Sequence, residues 1–140
     1  MERKIISNCS GVDWQAVANT LREAGMAWHE PEVHRRAFEN SHTTLFVYQG
    51  DRLIGFGRAI SDNAYQAAVY DVAVIPEFRG QGIGTAILQR IQERLSHCNI
   101  ILYAAPGREG FYEKLGFRKL RTGMALFCNA EAMNRKGITA

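Results

Sequence analysis

The chain has 140 residues, of which 46% are hydrophobic and 22% are charged, and its formal net charge is +3. This length and composition are typical of one globular domain and exclude an extensively disordered protein. The small positive charge is spread along the chain, which suits an anionic small molecule and argues against nucleic acid as a partner. No apolar run approaches the ~20 residues of a membrane helix, so no membrane partner is expected.

Three cysteines, Cys9, Cys98 and Cys128, form an odd set without CxxC or zinc-ligand spacing. Reduced thiols, no metal site and a cytoplasmic location are therefore expected. The first residues lack the apolar core of a signal peptide, which favours the same location. No repeat or linker divides residues 1–140, so they are predicted to form a single domain whose tail, 129–140, frays.

The first half of the chain predicts a strand, two helices and a pair of strands. The predicted elements are a strand over Lys4–Ile6, helices over Asp13–Ala24 and Glu32–Asn40, and strands over Thr43–Tyr48 and Arg52–Ser61. Asp13 is a candidate helix cap, and Pro31 favours the start of the second helix. A tight hairpin turn at Gly50 is predicted between the two strands.

The second half predicts strands alternating with helices. The predicted elements are a strand over Ala67–Ile75, a helix from about Gly82, a strand over Asn99–Ala105, a helix over Glu109–Leu115 and a last hairpin of Phe117–Leu120 with Met124–Phe127. This order predicts an α/β domain in which helices cover both faces of a mixed sheet.

A strand, a glycine-rich turn and a helix follow one another between Ala67 and Leu95. The Val- and Ile-rich run to Ile75 predicts a buried strand, and Pro76 ends it. After Arg79-Gly80-Gln81-Gly82-Ile83-Gly84, apolar residues recur four apart, as in a helix. Uncapped amides at a helix start, approached through glycines, form a seat for phosphate or pyrophosphate.

Two common phosphate-binding motifs are excluded by the residues around this turn. A Walker loop needs a lysine after its last glycine, but Gly84 is followed by Thr85-Ala86. A dinucleotide fingerprint needs GxGxxG spacing and an acidic residue about 20 positions later. Here the spacing is GxGxG, and Ala104 stands where the acid is required.

The pattern Arg-x-x-Gly-x-Gly after Val72-Ala73-Val74 resembles the acetyl-CoA signature of the GNAT (Gcn5-related N-acetyltransferase) superfamily. The block Gly110–Phe117, GFYEKLGF, is similar to a later motif of the same family, and the resemblance covers roughly residues 46–127. It implies a small single-domain member with the GNAT fold. In that fold a mixed, mostly antiparallel sheet splays between its central strands, here near 67–75 and 99–105.

The resemblance also implies acetyl-CoA as co-substrate and assigns residues to it. The backbone of Val72, Ala73 and Val74 would pair with the pantetheine arm as an added strand does. The pyrophosphate would be held by residues of the turn and the helix start, namely Arg79, Gly80, Gln81, Gly82, Ile83, Gly84 and Thr85.

Acetyl transfer to an amine requires a neutral nitrogen, a polarised carbonyl and a proton for the departing thiolate. By the resemblance, Tyr112 is the general acid; the alternative is a half-buried aromatic in the pocket wall. Asp71, in the central strand, is the candidate base, directly or through a water. An Asp71 bonded to the backbone or to an arginine is an equally weighted alternative. His29, Glu30 and His34 are secondary candidates for the base.

One position departs from the family pattern. Many members carry an asparagine seven residues before the motif tyrosine, and here that residue is Ala105. The run AAPGREGFYEKLGF resembles small bacterial and plant members, some of which acetylate arylalkylamines. Five aromatic residues are candidates for the acceptor pocket as well as for the core: Trp28, Phe38, Phe46, Tyr65 and Tyr70.

The sequence thus predicts an N-acetyltransferase that moves an acetyl group from acetyl-CoA to a primary amine of a small molecule or peptide. The transfer would be direct, within a ternary complex. A non-catalytic acyl-CoA-binding regulatory module is the alternative, and an unrelated nucleotide-phosphate binder is disfavoured by the missing motif residues. A homodimer is the commonest oligomer in general and is kept as an option.

Overall fold

The computed structural model describes residues 2–140. The chain divides into two units, with the boundary in the sequence between Ile101 and Leu102. The first unit contains a five-stranded sheet and three helices. Its elements are β1 (Arg3–Ile6), α1 (Trp14–Glu23), α2 (Pro31–Glu39), β2 (Thr43–Gln49), β3 (Arg52–Ser61), β4 (Gln66–Val74), a 3-10 turn (Pro76–Phe78), α3 (Ile83–Arg94) and β5 (Asn99–Ile101).

The sheet has the strand order β1-β2-β3-β4-β5. The first four strands are antiparallel to their neighbours, whereas β4 and β5 are parallel, which confirms the predicted mixed sheet. The ladder between β4 and β5 runs only from Gln66 with Asn99 to Ala68 with Ile101. Because β4 continues to Val74, its last residues have a hydrogen-bonding edge that β5 does not use.

Helices α1 and α2 cover one face of the sheet around three phenylalanines. Phe38, Phe46 and Phe56 are 0% exposed, and their rings pack at centroid distances of 5.5 and 6.0 Å. The start of α1 is fixed by Asp13, whose carboxylate accepts the amide N–H of Ala16 at 3.1 Å. The predicted cap is therefore confirmed.

Helix α3 lies on the opposite face, where β3 carries two glycines. A Cβ added to Gly57 would stand 2.9 Å from Cγ2 of Ile87 and 3.0 Å from Cγ2 of Val72, and one added to Gly55 would stand 3.0 Å from Cγ2 of Ile83. Real Cβ atoms essentially never come as close as the Gly57 value, and most keep a greater distance than the Gly55 value. The two glycines therefore allow α3 to pack directly onto the strand.

The second unit contains α4 (Glu109–Glu113) and α5 (Ala130–Arg135). The tail predicted to fray, 129–140, contains α5, whose N-cap Asn129 accepts the amide N–H of Ala132 at 3.1 Å. The predicted last hairpin is wrong, since residues 117–127 form no strand. Met124 and Leu126 are 98% and 100% exposed. An isolated hairpin with no apolar face to bury is marginal in water.

Two further boundaries differ from the sequence expectation. Strand β5 ends at Ile101 instead of Ala105, since its ladder with β4 stops there. Helix α4 ends at Glu113 instead of Leu115, and Gly116, with φ of +96°, follows its last turn. Among the helices of residues 2–140, none is both long and apolar enough to cross a membrane.

Candidate functional site

The glycine-rich turn links the end of β4 to the start of α3. Gly80 and Gly82 have φ of +77° and +81°, in the left-handed region that favours glycine. A Cβ added to either would meet no atom within 4 Å, so the space beside both residues is open. Gly82 is the N-cap of α3 and provides no side-chain cap. The first amides of a 12-residue helix thus remain available to an anion.

Arginine side chains from β1 and β3 contact residues in and just before this turn. The guanidinium groups of Arg3 and Arg52 lie 5.7 and 5.8 Å from the centroid of the Phe78 ring. Arg52 also pairs with Glu77 and lowers the pKa of that carboxyl. Arg3 donates a hydrogen bond to Oε1 of Gln81. The conformation of the turn is therefore supported before any ligand arrives.

The end of β4 alternates between the two faces of the sheet. Ala73 belongs to the buried cluster under α1 and α2, whereas Val72 lies against Gly57 on the α3 face. Arg79 turns back toward the strand, and its Nε donates to the carbonyl oxygen of Val74 at 3.3 Å. The strand predicted to pair with the cofactor arm and the arginine predicted to assist the pyrophosphate are thus adjacent.

Asp71 lies at a β-bulge that the sequence analysis did not foresee. The pairing of Arg58 with Tyr70 is followed by that of Phe56 with Ala73, so β4 has one more residue than β3 at this point. Asp71 takes a φ of +57°. Its Oδ2 accepts a hydrogen bond from Nε of Arg58 at 2.7 Å. The arginine-bonded arrangement named as an alternative is therefore present, and the role of Asp71 as base stays a prediction.

Arg58 was missed by the sequence reasoning. It lies in β3 between the buried residues Gly57 and Ala59, and its own side chain is only 17% exposed. A charged residue inside an otherwise apolar strand is the feature of the sequence that points to it, because such a charge is buried only when it has partners.

His34 lies on α2 and is 3% exposed. Its Nε2 accepts the backbone N–H of His29 at 2.9 Å, which places the proton of the neutral ring on Nδ1. Burial lowers the pKa of His34; Asp71 opposes that shift, and Arg58 and His29 add to it. His34 is therefore neutral at pH 7, and its lone pair on Nε2 is already used. Glu30 is exposed and makes no side-chain cap bond at the start of α2.

In the second unit, Tyr112 lies on α4 between two aromatic rings. Its ring centroid is 5.1 Å from that of Phe111 and 5.9 Å from that of Phe117. Burial raises the pKa of Tyr112, while the nearby Arg108 opposes the shift. The phenol therefore keeps its proton at neutral pH. Both predicted roles, a general acid and a half-buried aromatic, are compatible with this environment.

The aromatic candidates for the acceptor pocket separate into two groups. Phe38 and Phe46 are fully buried in the core under α1 and α2, so they do not line an open pocket. Trp28 is 45% exposed and lies under the guanidinium of Arg22 at 5.2 Å, and Tyr65 is 64% exposed. Tyr70 contacts the guanidinium of Arg58.

A mixed sheet with an unused β4 edge, followed by a glycine turn and a long helix, defines an acetyltransferase fold of the GNAT type. The family model described as an acetyltransferase (GNAT) domain matches residues 13–125. The chain therefore belongs to the GNAT acetyltransferases, as the sequence motifs predicted.

Individual relatives agree with this assignment. The chain is 41% identical over 114 residues to the uncharacterized N-acetyltransferase ycf52 of Porphyra purpurea, a match that covers 79% of this chain and 61% of the relative. It is 34% identical over 115 residues to the chloroplastic serotonin N-acetyltransferase 2 of Oryza sativa subsp. japonica, covering 77% and 58%. The chain thus spans about three fifths of the length of these relatives.

Solved structures show the same fold. A probable acetyltransferase from meticillin-resistant Staphylococcus aureus superposes with a TM-score of 0.80 at 25% identity, covering 90% of this chain and 99% of that protein. The ribosomal-protein-S18-alanine N-acetyltransferase of Escherichia coli superposes with a TM-score of 0.72 at 20% identity, covering 85% and 79%.

Proposed function

We propose that this chain is an N-acetyltransferase that moves an acetyl group from acetyl-CoA to a primary amine. The observation that carries the proposal is the turn between β4 and α3. Its two left-handed glycines, Gly80 and Gly82, leave open space beside the uncapped start of a helix. This is the arrangement that a diphosphate requires, because main-chain amides and the helix dipole bind anions without side-chain help.

The residues present fit acetyl-CoA in two respects. The edge of β4 from Val72 to Val74 offers backbone groups beyond the ladder with β5, and an extended pantetheine arm would bind there as an added strand. The amides from Gly80 to Thr85 would hold the pyrophosphate, with Arg79 beside them. When bound, acetyl-CoA supplies the acetyl group as a thioester.

The groups of this chain would then handle the protons of the transfer. An acceptor ammonium gives a proton to Asp71, directly or through a water, and the neutral nitrogen forms the new C–N bond. The C–S bond breaks, and the sulfur takes a proton from Tyr112, whose raised pKa keeps that proton available at neutral pH. The nitrogen loses its second proton as it becomes an amide, and this proton restores the Tyr112 phenol through solvent. An amide N–H at the end of β4 would polarise the carbonyl oxygen. No covalent bond to the protein is needed.

The acceptor class is proposed as a small-molecule or peptide amine. The rice relative is named for serotonin and the E. coli neighbour for an alanine of ribosomal protein S18, so both kinds of acceptor occur among similar proteins. The higher identity to the rice protein gives arylalkylamines the first place in a substrate panel.

Ligand-induced stabilisation tests the cofactor assignment. Acetyl-CoA at about 100 times its Kd should raise the free energy of unfolding by roughly 2.7 kcal/mol, because it binds only the folded state. CoA should act similarly, whereas ATP and NAD at the same concentration should shift Tm little. A shift with ATP or NAD and none with either CoA species would exclude both acetyl transfer and acyl-CoA binding.

Turnover separates the enzyme from a non-catalytic acyl-CoA-binding module. CoA release should be followed with arylalkylamines, polyamines, amino acids and peptide N-termini as acceptors. Release that depends on one acceptor class identifies the substrate. Stabilisation by acetyl-CoA without release over the whole panel would favour the regulatory module instead.

A further inference from the structure

Arg58 is a largely buried cation on β3, and its guanidinium is surrounded on several sides. Nε donates to Oδ2 of Asp71 at 2.7 Å, and Nη1 donates to Oγ of Ser41 at 3.2 Å. The rings of Phe38 and Tyr70 lie 5.7 and 5.3 Å from its central carbon. An arginine held by a carboxylate, a hydroxyl and two aromatic faces has little freedom to move.

The bulge in β4 creates this arrangement. Among residues 2–140, Asp71 is one of two non-glycine residues with positive φ, the other being Asn63 in a surface turn. In a regular strand, Tyr70 and Asp71 would point to opposite faces. The extra residue brings both side chains to the same guanidinium. Such a conformation persists only where the surrounding structure fixes it.

The pair leaves one carboxylate oxygen unused. Arg58 bonds Asp71 through Oδ2 alone, and no residue in the range 2–140 donates a hydrogen bond to Oδ1. The Asp71 side chain is 22% exposed, so a small ligand can reach it. Arginine–carboxylate pairs are frequently bidentate, with both oxygens bonded. Here the guanidinium instead divides its donors between Asp71 and Ser41.

We infer that Arg58 is a positioning residue for the acceptor amine: it fixes Asp71 so that Oδ1 receives the ammonium proton of the substrate. This inference rests on the proposed function. In the step, the N–H bond of the ammonium breaks, its electron pair stays on nitrogen, and the proton passes to Oδ1 and later to solvent. Arg58 contacts neither substrate nor proton, and it acts only through the orientation of Asp71.

The test compares Arg58→Met, Arg58→Lys, Asp71→Asn and the double variant, with acetyl-CoA and the best amine of the panel. Arg58→Met should lower kcat about 10-fold, less than the roughly 100-fold or more that loss of the acid or base itself costs, because Asp71 remains. KM for acetyl-CoA should change less than about 2-fold. Arg58→Lys should recover part of kcat, because an ammonium can still hold Oδ2. The double variant should be no slower than Asp71→Asn, since nothing remains to position.

Arg35→Met is the matched control. Arg35 is also paired with carboxylates, those of Glu32 and Glu39 on α2. Its loss removes an ion-paired arginine that does not bond Asp71, and kcat should not change.

Two results would overturn the inference. One is an unchanged kcat in Arg58→Met, and the other is a double variant slower than Asp71→Asn by the full Arg58→Met factor. If Arg58→Met does not fold, Arg58→Lys decides, and an unchanged kcat there has the same meaning. Absence of transfer by the wild-type chain would instead count against the proposed function itself.

Discussion

The Asp71 bulge lies just before Val72–Val74 in β4, and the glycine-rich turn follows the end of that strand. The two present different kinds of chemical group. The turn offers main-chain amides beside open space, at Gly80 and Gly82. The bulge offers side chains in close contact, with Asp71, Arg58 and Tyr70 fixed against one another. Main-chain groups suit a constant ligand such as the diphosphate of the cofactor, because they are the same for every residue. Side chains can be replaced by mutation to suit a different acceptor.

This difference implies that the glycine-rich turn serves cofactor binding and that the side chains at the Asp71 bulge serve the chemical step. Substitutions in the glycine-rich turn should weaken acetyl-CoA binding. Substitutions among the side chains at the Asp71 bulge should slow turnover and leave acetyl-CoA binding unchanged. The variants below test these two assignments, beginning with the largest expected effect.

Gly82→Val should weaken acetyl-CoA binding by at least about 100-fold, equivalent to roughly 2.7 kcal/mol. Its side chain would enter the open space beside the helix start, and the backbone would be strained at φ of +81°. Titration calorimetry with acetyl-CoA measures the loss.

Gly25→Val is the matched control for Gly82→Val. Gly25 has a φ of +73° and equally open surroundings, but it ends α1 instead of preceding α3. Both variants should lose about 1–2 kcal/mol of stability through backbone strain, and only Gly82→Val should lose acetyl-CoA. Retained affinity in Gly82→Val would show that the turn does not bind the diphosphate.

Tyr112→Phe should lower kcat by about 100-fold, a typical contribution of a positioned acid, while the affinity for acetyl-CoA stays the same. Phenylalanine preserves the packing against Phe111 and Phe117, so the variant removes the hydroxyl alone. Steady-state kinetics with acetyl-CoA and amine varied separately gives both constants. Tyr48→Phe, at a residue of β2 that packs against the buried cluster under α1 and α2, is the control. Equal turnover in wild type and Tyr112→Phe would leave Tyr112 as a packing residue.

The smallest effect is expected from His34→Gln, and it concerns stability as a function of pH. The pKa of His34 in the folded chain lies below 6.5, the value of a free histidine. Near and below pH 6.5 the unfolded chain therefore binds more protons than the folded chain. The free energy of unfolding therefore falls as pH decreases through and below 6.5. Glutamine accepts the His29 N–H without titrating. Thermal melts at several pH values from about 7.5 to 5.5, bracketing the ordinary histidine pKa, should show a shallower loss in the variant. Parallel curves would contradict this account of His34.

The sequence predicted the turn better than the bulge for a physical reason. Glycines, Pro76 and the four-residue spacing from Ile83 are local features, and the geometry they specify lies within a few residues. The bulge depends on how many residues β3 and β4 each contribute between two pairs. That count is set by contacts such as Arg58 with Asp71, which are distant in sequence.

The hairpin predicted at residues 117–127 failed for a related reason. Alternating apolar residues such as Met124 and Leu126 are necessary for a half-buried strand, but a strand also needs a neighbour and a surface to cover. Both side chains are almost completely exposed. A periodic pattern shows what a segment can bury, and the rest of the molecule decides whether it does so.

Gly55 and Gly57 affect the proposed cofactor site through helix α3, without contacting the cofactor themselves. Both face α3, and a methyl group at Gly57 would collide with Ile87 and Val72. Alanine there would push the helix outward and carry its amide-bearing end away from β4. A random mutagenesis screen for lost acetylation should therefore recover hits in the interior of a strand that never meets a substrate.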